Sequence, residues 1–545
     1  MFTPNKTTLE ELWDQIEYIN PVQVAAKSNL TNSTEFVLPS DPTHDMPTHP
    51  YEETKYLKFP KDFKYGVSSS APQSEGAVKE DGRGPTIWDY IPHLFPPSVE
   101  PTIDIVADFY HRYKNDISRV KAMGINSYSL TIAWSRIYPL GTGQANEVGL
   151  EFYDRVIDEL LRNNIEPMVS LLHFDTPFAL LAQYGDFMSP KIVADFNNYA
   201  ETVFRRYGDR VKRWITINEP RTYCKAATYF PYDRAYPTGI NAQNAEWHCI
   251  HNILVAHGTA VQTYRRLIKE KVIVSGQIGV KNEFAKPAPY TDSKEDKEAA
   301  DRVADFLLGI VAKPIFVDGD YPILCKETLG DFLPPMTTEE QKLLKGSADF
   351  YIQNLYDVPR AKAAPNGIEA CVSNRSDPLW PVCRDERIQY VSTVPDGWSN
   401  GQPSAPITPT FSNTWFAIRD QLKYLAKTYP STGGIYIGEF GWPELLERKR
   451  DELYQIVSDY DREAYYLDYL HAFLLSVNED DVNLKGVFAW AAFDDYEWII
   501  GTEIKLGLQY VNFTDPALPR SYKRSFYSYS NFMRQHLRHG DFNSS

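Results

Sequence analysis

The sequence predicts an α/β protein folded as one closed (β/α)8 barrel. Three observations carry that expectation: eight short runs rich in β-branched and aromatic residues, longer stretches of helical periodicity between them, and polar side chains at the carboxyl ends of the runs. The chain has 545 residues, 43% of them hydrophobic and 14% aromatic, enough to bury a large core. Length alone would allow several domains, but an α/β barrel with inserted loops fills such a chain as a single unit.

Taken in order, residues 1–56 read as a partly irregular N-terminal extension, rich in Thr, Asn, Pro and acidic residues after one short amphipathic stretch, "LEELWDQIEYI". The barrel is expected over residues 57–540. "FKYGVSS" is its first strand, followed by the helical pattern "YKNDISRVKAMG". "SYSLTIAWSRI", "PMVSLLHFD" and "RWITINEP" supply the next three strands, separated by "FYDRVIDELLRNN" and "SPKIVADFNNYAETVFRRYG", whose apolar residues recur at helical spacing before a Gly or Asn stop. After the long helix "EWHCIHNILVAHGTAVQTYRRLIKE" come "IVSGQIGV", "DFYIQNLY", "GIYIGEFGW" and "KGVFAWAAF" as strands five to eight. Two long connections, 285–347 and 357 to about 410, follow barrel strands and are expected to overhang the face where such barrels keep their chemistry.

Charge and hydropathy exclude several function classes. A formal net charge of −16 and a sequence pI near 5.3 disfavour a nucleic acid or an anionic lipid surface as partner, since both demand clustered Lys and Arg. No apolar run approaches the ~20 residues that span a bilayer. The first twenty residues lack the basic start and continuous apolar stretch of a signal peptide, so either none exists or the chain begins after its removal. N-x-[ST] sequons at Asn5, Asn29, Asn32, Asn374, Asn512 and Asn543 favour a secreted glycoprotein. Cys371 and Cys383 bracket a polar, Pro-containing loop suited to a short disulfide, which points to the same oxidising setting. Cys224, Cys249 and Cys325 leave an odd thiol. His248, Cys249, His251 and His257 lie close together on one helix, but no CxxC or HExxH spacing supports a metal, and neither metal nor organic cofactor is expected.

The strand ends deliver Gln73 after the first, His173 and Asp175 after the third, Asn218 and Glu219 after the fourth, Asn354 and Tyr356 on the sixth, and Glu439 on the seventh. Trp490 comes from the eighth, with Glu497 and Trp498 just beyond it. There is no phosphate loop and no G-x-S-x-G. Carboxylates, amides and indoles suit a sugar, because amides and carboxylates bind hydroxyl pairs while an aromatic face stacks on a pyranose. Two glutamates on separate strands would flank a glycosidic bond, and net retention requires them about 5 to 5.5 Å apart.

The segments "FPKDFKYGVSSSAPQSEGA" with "DGRGPTIWD", "FYHRYKNDISRVKAMGINSYSLTIAWSRIYP", "LLHFDTP", "WITINEP", "GSADFYIQNLY" and "DDYEW" with "LGLQYVNF" occur in this order. Together they resemble glycoside hydrolase family 1, the β-glucosidase family. The resemblance implies a TIM barrel and a carbohydrate substrate, with Glu219 as general acid/base and Glu439 as nucleophile. It further implies that Gln73, His173, Asn218, Glu497 and Trp498 hold the sugar, that Trp490 is its aromatic floor, and that Asn354 and Tyr356 support the reaction centre, Tyr356 by bonding the nucleophile. Asp175 is expected to fix its loop.

Three segments depart from the family pattern. Ser129 in "YSLTIAWSR" stands where the resemblance leads one to expect an arginine partner for the nucleophile, Gly438 and Phe440 flank Glu439 in "GEFG", and Phe174 in "HFD" replaces an indole. A buried carboxylate without a cationic partner titrates at higher pH, so either another cation compensates or the nucleophile is weakened. The leading expectation is a retaining β-glycosidase hydrolysing a terminal β-linked sugar by double displacement. Beside it stand a glycan-binding barrel with little or no hydrolysis and a disaccharide-specific glycosidase or transglycosidase.

Overall fold

The computed structural model describes residues 8–17, 52–94, 103–229, 236–385, 411–444 and 447–543. Eight parallel strands close into a barrel: β1 Lys64–Ser68, β2 Ser127–Thr131, β3 Glu166–Ser170, β4 Arg213–Asn218, β5 Gln277–Asn282, β6 Tyr351–Asn354, β7 Ile435–Phe440 and β8 Leu484–Trp490. Each strand pairs with its neighbour in sequence, and β8 closes on β1. Nearly every strand position is buried, as it must be where side chains fill the lumen on one face and helices cover the other. Met168, Ile215, Phe350, Ile352, Tyr436 and Phe488 fill the lumen. A Cβ on Gly66 would stand 2.1 Å from the Ser127 carbonyl and 2.9 Å from the Phe488 ring, so only glycine lets β1 sit this close to β2 over that ring.

The outer ring runs through α2 Phe109–Lys121, α3 Glu147–Arg162, α4 Ile192–Tyr207, α5 Ala245–Lys269, α6 Trp415–Thr428, α7 Tyr460–Asn478 and α8 Arg524–His536, following α1 Leu9–Glu17 of the extension. In α3 the buried Leu150, Tyr153, Ile157 and Leu160 recur at three and four residues, the stripe a helix needs to lie on a sheet. No described helix is long and apolar enough to cross a membrane. In α1, Leu12 packs with Phe178, Ala179 and Leu181, and the Trp13 indole donates to the Arg83 carbonyl at 3.1 Å, which sets this helix against the loops that follow β1 and β3.

Two local features differ from the sequence expectation. Residues 273–276 of "IVSGQIGV" form the approach to β5, and the strand runs on to Asn282 instead of ending at Val280. Lys281 therefore belongs to the barrel wall. The connection 285–347 is largely helical, with helices at Lys294–Val303, Ile310–Phe316, Ile323–Leu329 and Thr338–Leu344.

Cys371 bonds Cys383 and Cys224 bonds Cys249, leaving Cys325 as a buried free thiol. With Cys249 in a disulfide, His257 held between Thr216 and Ser347 at 2.7 and 3.0 Å, and His251 beside Tyr321 and Glu340, the helical His/Cys group is committed to packing. No group of three metal-ligating side chains forms among the described residues. Of the sequons, Asn374 is exposed, whereas the Asn543 amide donates to the Ile125 and Asn163 carbonyls and is held against the barrel base. Asn5, Asn29 and Asn32 lie outside the described residues.

Candidate active site

All ten side chains expected at the site, Gln73, His173, Asn218, Glu219, Asn354, Tyr356, Glu439, Trp490, Glu497 and Trp498, line one cavity of about 440 Å³ at the carboxyl end of the barrel. Their convergence follows from strand register, which no spacing along the chain reveals.

Glu439 owes its direction to a bulge. Ile437 pairs with Gln353 and Val487, yet Glu439 pairs with Asn354 and Phe440 with Ala489, so β7 carries one residue more than either neighbour at this point. The extra residue turns the buried carboxylate toward the mouth, while Phe440 packs outward on Tyr466, Tyr469 and Phe473. Lys281 Nζ stands 2.9 Å from Glu439 Oε1, and the Tyr356 hydroxyl donates to Oε2 at 2.9 Å. Burial pushes the Tyr356 phenol well up, so it stays a donor. Its carbonyl in turn accepts from the hydroxyls of Tyr465 and Tyr469, both at 2.8 Å, which fixes the start of the loop after β6.

Glu219 follows the last residue of β4 and precedes a helix that starts with Pro220, a residue suited to that first position. Its φ of 47° lies in the left-handed region, and Phe174 and Trp498, also lining the cavity, have φ of 66° and 48°. Left-handed non-glycine residues concentrated in one cavity are held there by the surrounding contacts. For Glu219 those contacts are its backbone N–H donating to the Lys281 carbonyl at 2.9 Å and Asn354 Nδ2 donating to its Oε1 at 2.7 Å. Burial and the charge of Glu439 raise its pKa to about 7. Asn354 Nδ2 also reaches Asn218 Oδ1 at 3.2 Å, and Asn218 Nδ2 meets His173 Nε2 at 3.1 Å.

The His173 ring stacks at 5.5 Å on Trp490 and at 5.9 Å on Trp498. Burial and then the Lys281 charge hold its pKa well down, so the imidazole is neutral at neutral pH. Asp175 Oδ1 accepts the His173 backbone N–H at 2.9 Å, a loop-fixing contact. Gln73 is oriented by three groups: Ser70 Oγ donates to its Oε1 at 2.7 Å, and its Nε2 donates to the Tyr496 carbonyl at 2.9 Å and to Glu497 Oε2 at 3.4 Å. Burial, then Glu439 and Glu219, raise the Glu497 pKa to about 8. Asp494 accepts from Lys523 Nζ at 2.8 Å and from the Gly507 backbone at 3.0 Å. Those contacts pin the loop after β8.

Sequence reasoning missed Trp88, Lys281, Glu283, Asp357 and Phe411. Trp88 packs on Trp498 at 4.5 Å, and Phe411 stacks on Tyr356 at 4.7 Å. Glu283 accepts the Thr222 backbone N–H at 2.6 Å, and burial followed by the Glu219 charge pushes its carboxyl well above the ordinary range. Asp357 accepts the Ser412 backbone N–H at 3.1 Å, and burial raises it to about 7. Extending the period-two reading of β5 and β6 a few residues past their apolar runs would have brought Lys281, Glu283 and Asp357 into view.

Residues 55–537 match the family model described as Glycosyl hydrolase family 1. Beta-glucosidase 24 of Oryza sativa subsp. japonica is 35% identical over 508 residues, covering 88% of this chain and 95% of that protein. A β-glucosidase from the fungus Humicola insolens, solved in complex with glucose, superposes with a TM-score of 0.80 at 32% identity, covering 88% of this chain and 99% of the other. A rice β-glucosidase mutant solved in a covalent complex with Glc gives 0.78 at 33% identity, over 88% of this chain and 100% of the other.

Proposed function

The chain belongs to glycosyl hydrolase family 1, and on that premise we propose that Glu439 is the nucleophile and Glu219 the general acid/base of this retaining β-glycosidase. One observation carries the assignment: one buried glutamate is held between a lysine and a phenol, while the other is buried without a cationic hydrogen-bond partner and its pKa is raised to about 7. The first environment turns two donors on the attacking oxygens and the second favours a carboxylic acid, the division of labour that double displacement needs.

In the first step a Glu439 oxygen attacks the anomeric carbon, the bond from that carbon to the leaving oxygen breaks, and the Glu219 proton passes to the leaving oxygen. The product is a glycosyl ester on Glu439. In the second step water attacks the same carbon and gives its proton to Glu219, and the ester bond breaks to return Glu439 as a carboxylate. Formation of the ester removes the charge that helps keep Glu219 protonated, which prepares it to act as base. Gln73, His173, Asn218, Glu497 and Trp498 are assigned to holding the sugar hydroxyls, and Trp490 to supporting the ring.

The sign of the pH dependence follows. Glu219 must hold its proton to begin the reaction, so kcat/KM falls as pH rises through the raised value, with an alkaline limb near pH 7. A pH profile on an aryl β-glycoside measures it. A plateau extending unchanged to pH 9 would remove Glu219 from that role.

The leaving-group side takes an apolar aglycone. Phe284, Ala285, Pro359, Phe411 and Ile499 form an apolar part of the cavity wall, and Ile499 is 70% exposed. Aryl β-glycosides should therefore show kcat/KM about tenfold or more above β-linked disaccharides with the same terminal sugar, an apolar contact of about 1.4 kcal/mol being sufficient. Equal or reversed values would contradict this assignment. Nothing in the geometry favours a barrel that only binds glycans.

The catalytic unit is assigned to residues 57–540, with residues 1–56 as an extension to it. An extracellular or secretory setting fits the two disulfides, which persist in oxidising compartments, and the exposed sequon at Asn374.

A further inference from the structure

We propose that Lys281 is a positioning residue for Glu439, that Gly438 is glycine to let the lysine stem cross the barrel floor, and that Lys281, Gly438 and Ser129 form one arrangement in which the cation enters from β5 instead of β2. The inference rests on the assignment of Glu439 as nucleophile.

The geometry begins with the strand faces. Lys281 pairs with Ile352, and Ile352 with Tyr436, both of which fill the lumen, so Lys281 points inward as they do. Its ammonium reaches Glu439 from two strands away, at 2.9 Å, and is only 2% exposed. The route runs across Gly438. A Cβ built there would lie 2.6 Å from Ile352 Cγ2 and 3.0 Å from both Lys281 Cε and Asn354 Oδ1. Any side chain at 438 would compete for space with the lysine stem as well as with Ile352 and Asn354.

On the other side of β7 the floor carries short side chains. Ser129 pairs with the lumen residue Met168 and so faces inward, and it also pairs with Ser68, whose hydroxyl donates to the Gly438 carbonyl at 2.8 Å. Ser129 is itself buried and brings no charge. Of the two outcomes expected from Ser129, a compensating cation or a weakened nucleophile, Lys281 from β5 supplies the first.

Lys281 also touches the other glutamate, because its carbonyl accepts the Glu219 backbone N–H at 2.9 Å and its charge favours the ionised form of that carboxyl. Before the first step the negative charge sits on Glu439. Once the Glu219 proton has left with the aglycone and Glu439 is an ester, the negative charge sits on Glu219. A single ammonium near both is matched by one carboxylate in each state. The other titratable groups facing this pair are His173 from β3, Glu283 after β5, Tyr356 after β6, and Asp495 and Glu497 after β8.

The test is a set of pH profiles of kcat/KM on an aryl β-glycoside for the full chain and for Lys281→Met, Gly438→Ala and Lys281→Met with Ser129→Arg. Lys281→Met should lower kcat/KM on the order of 10²-fold, as loss of one preorganised charge contact does, and move the acid limb, which follows ionisation of the nucleophile, to higher pH. Gly438→Ala should move the limb in the same direction by crowding the lysine, and it decides the question should Lys281→Met fail to fold. Ser129→Arg in the Lys281→Met background should bring the limb back toward its original position. An acid limb unmoved in both single variants, with kcat/KM within twofold of the parent, would overturn the proposal. Labelling of Glu439 in the unmodified protein by an activated 2-deoxy-2-fluoro glycoside separates the two levels: a labelled Glu439 with unmoved limbs sinks only the role of Lys281, whereas a label elsewhere sinks the nucleophile assignment beneath it.

Discussion

Replacing Glu439 by glycine should lower kcat for an aryl β-glycoside on the order of 10⁴-fold or more, because the step that forms the covalent intermediate loses its attacking atom. The same substitution leaves a small space beside the Lys281 ammonium and the Tyr356 hydroxyl, both of which hold an anion in the parent protein. Added azide should therefore occupy that space and attack the anomeric carbon in a single displacement, releasing the α-glycosyl azide. Product analysis by NMR checks the anomer. Activity that survives the substitution without any added nucleophile would place the covalent step on another residue.

Glu219→Ala should divide substrates by leaving group. A proton donated in the transition state contributes about 10² to 10⁴-fold, and it matters most where the departing oxygen is a poor leaving group. Alkyl glycosides should lose about that factor in kcat/KM, whereas an aglycone that departs readily as its own anion should lose far less, with breakdown of the ester becoming the slow step. Azide should accelerate that breakdown and give the β-glycosyl azide, because two displacements have then occurred. The alkaline limb set by the raised pKa of Glu219 should vanish with the side chain. Steady-state and burst kinetics on a leaving-group series measure both effects. Equal losses across the series would mean that Glu219 acts through binding and not through proton transfer.

These two substitutions fall at residues legible in the sequence, and the reason is local. "WITINEP" and "GIYIGEFGW" each place a glutamate where an apolar run gives out, and a barrel directs such ends to its active face. The eight strands were legible for the same reason, since each is a short run rich in β-branched and aromatic residues between helical stretches. Lys281 was not legible, because "IVSGQIGV" looks complete at Val280 while the strand continues to Asn282. What extends it is pairing with its neighbours, Lys281 with Asn218 and Ile352 and Asn282 with Gln353, a tertiary fact. The bulge at Gly438 is equally hidden, since it exists only as a count of residues against β6 and β8.

Ser129 and Gly438 looked like separate losses when read along the chain. In the barrel they meet through Ser68, which pairs with Ser129 and whose hydroxyl donates to the Gly438 carbonyl, while Gly438 itself lies against the lysine stem. Phe440 looked like a third change at the nucleophile, but its ring faces away from the cavity into the aromatic layer of Tyr466, Tyr469 and Phe473 on α7. It bears on how β7 is held and makes no contact with the reacting carboxylate. Phe174 does line the cavity, 5.0 Å from the Trp498 ring, so the phenyl there shapes the cavity wall beside that indole.

Intact-mass measurement and peptide mapping after incubation with activated 2-deoxy-2-fluoro β-glycosides test the covalent role of Glu439 itself. The fluorine slows both oxocarbenium-like steps, and the good leaving group lets ester formation outrun its breakdown. One sugar per chain should attach to Glu439, with release of one equivalent of leaving group and recovery of activity as the ester turns over. An adduct on any other residue, or hydrolysis of unmodified substrate with inversion at the anomeric carbon, would contradict that role.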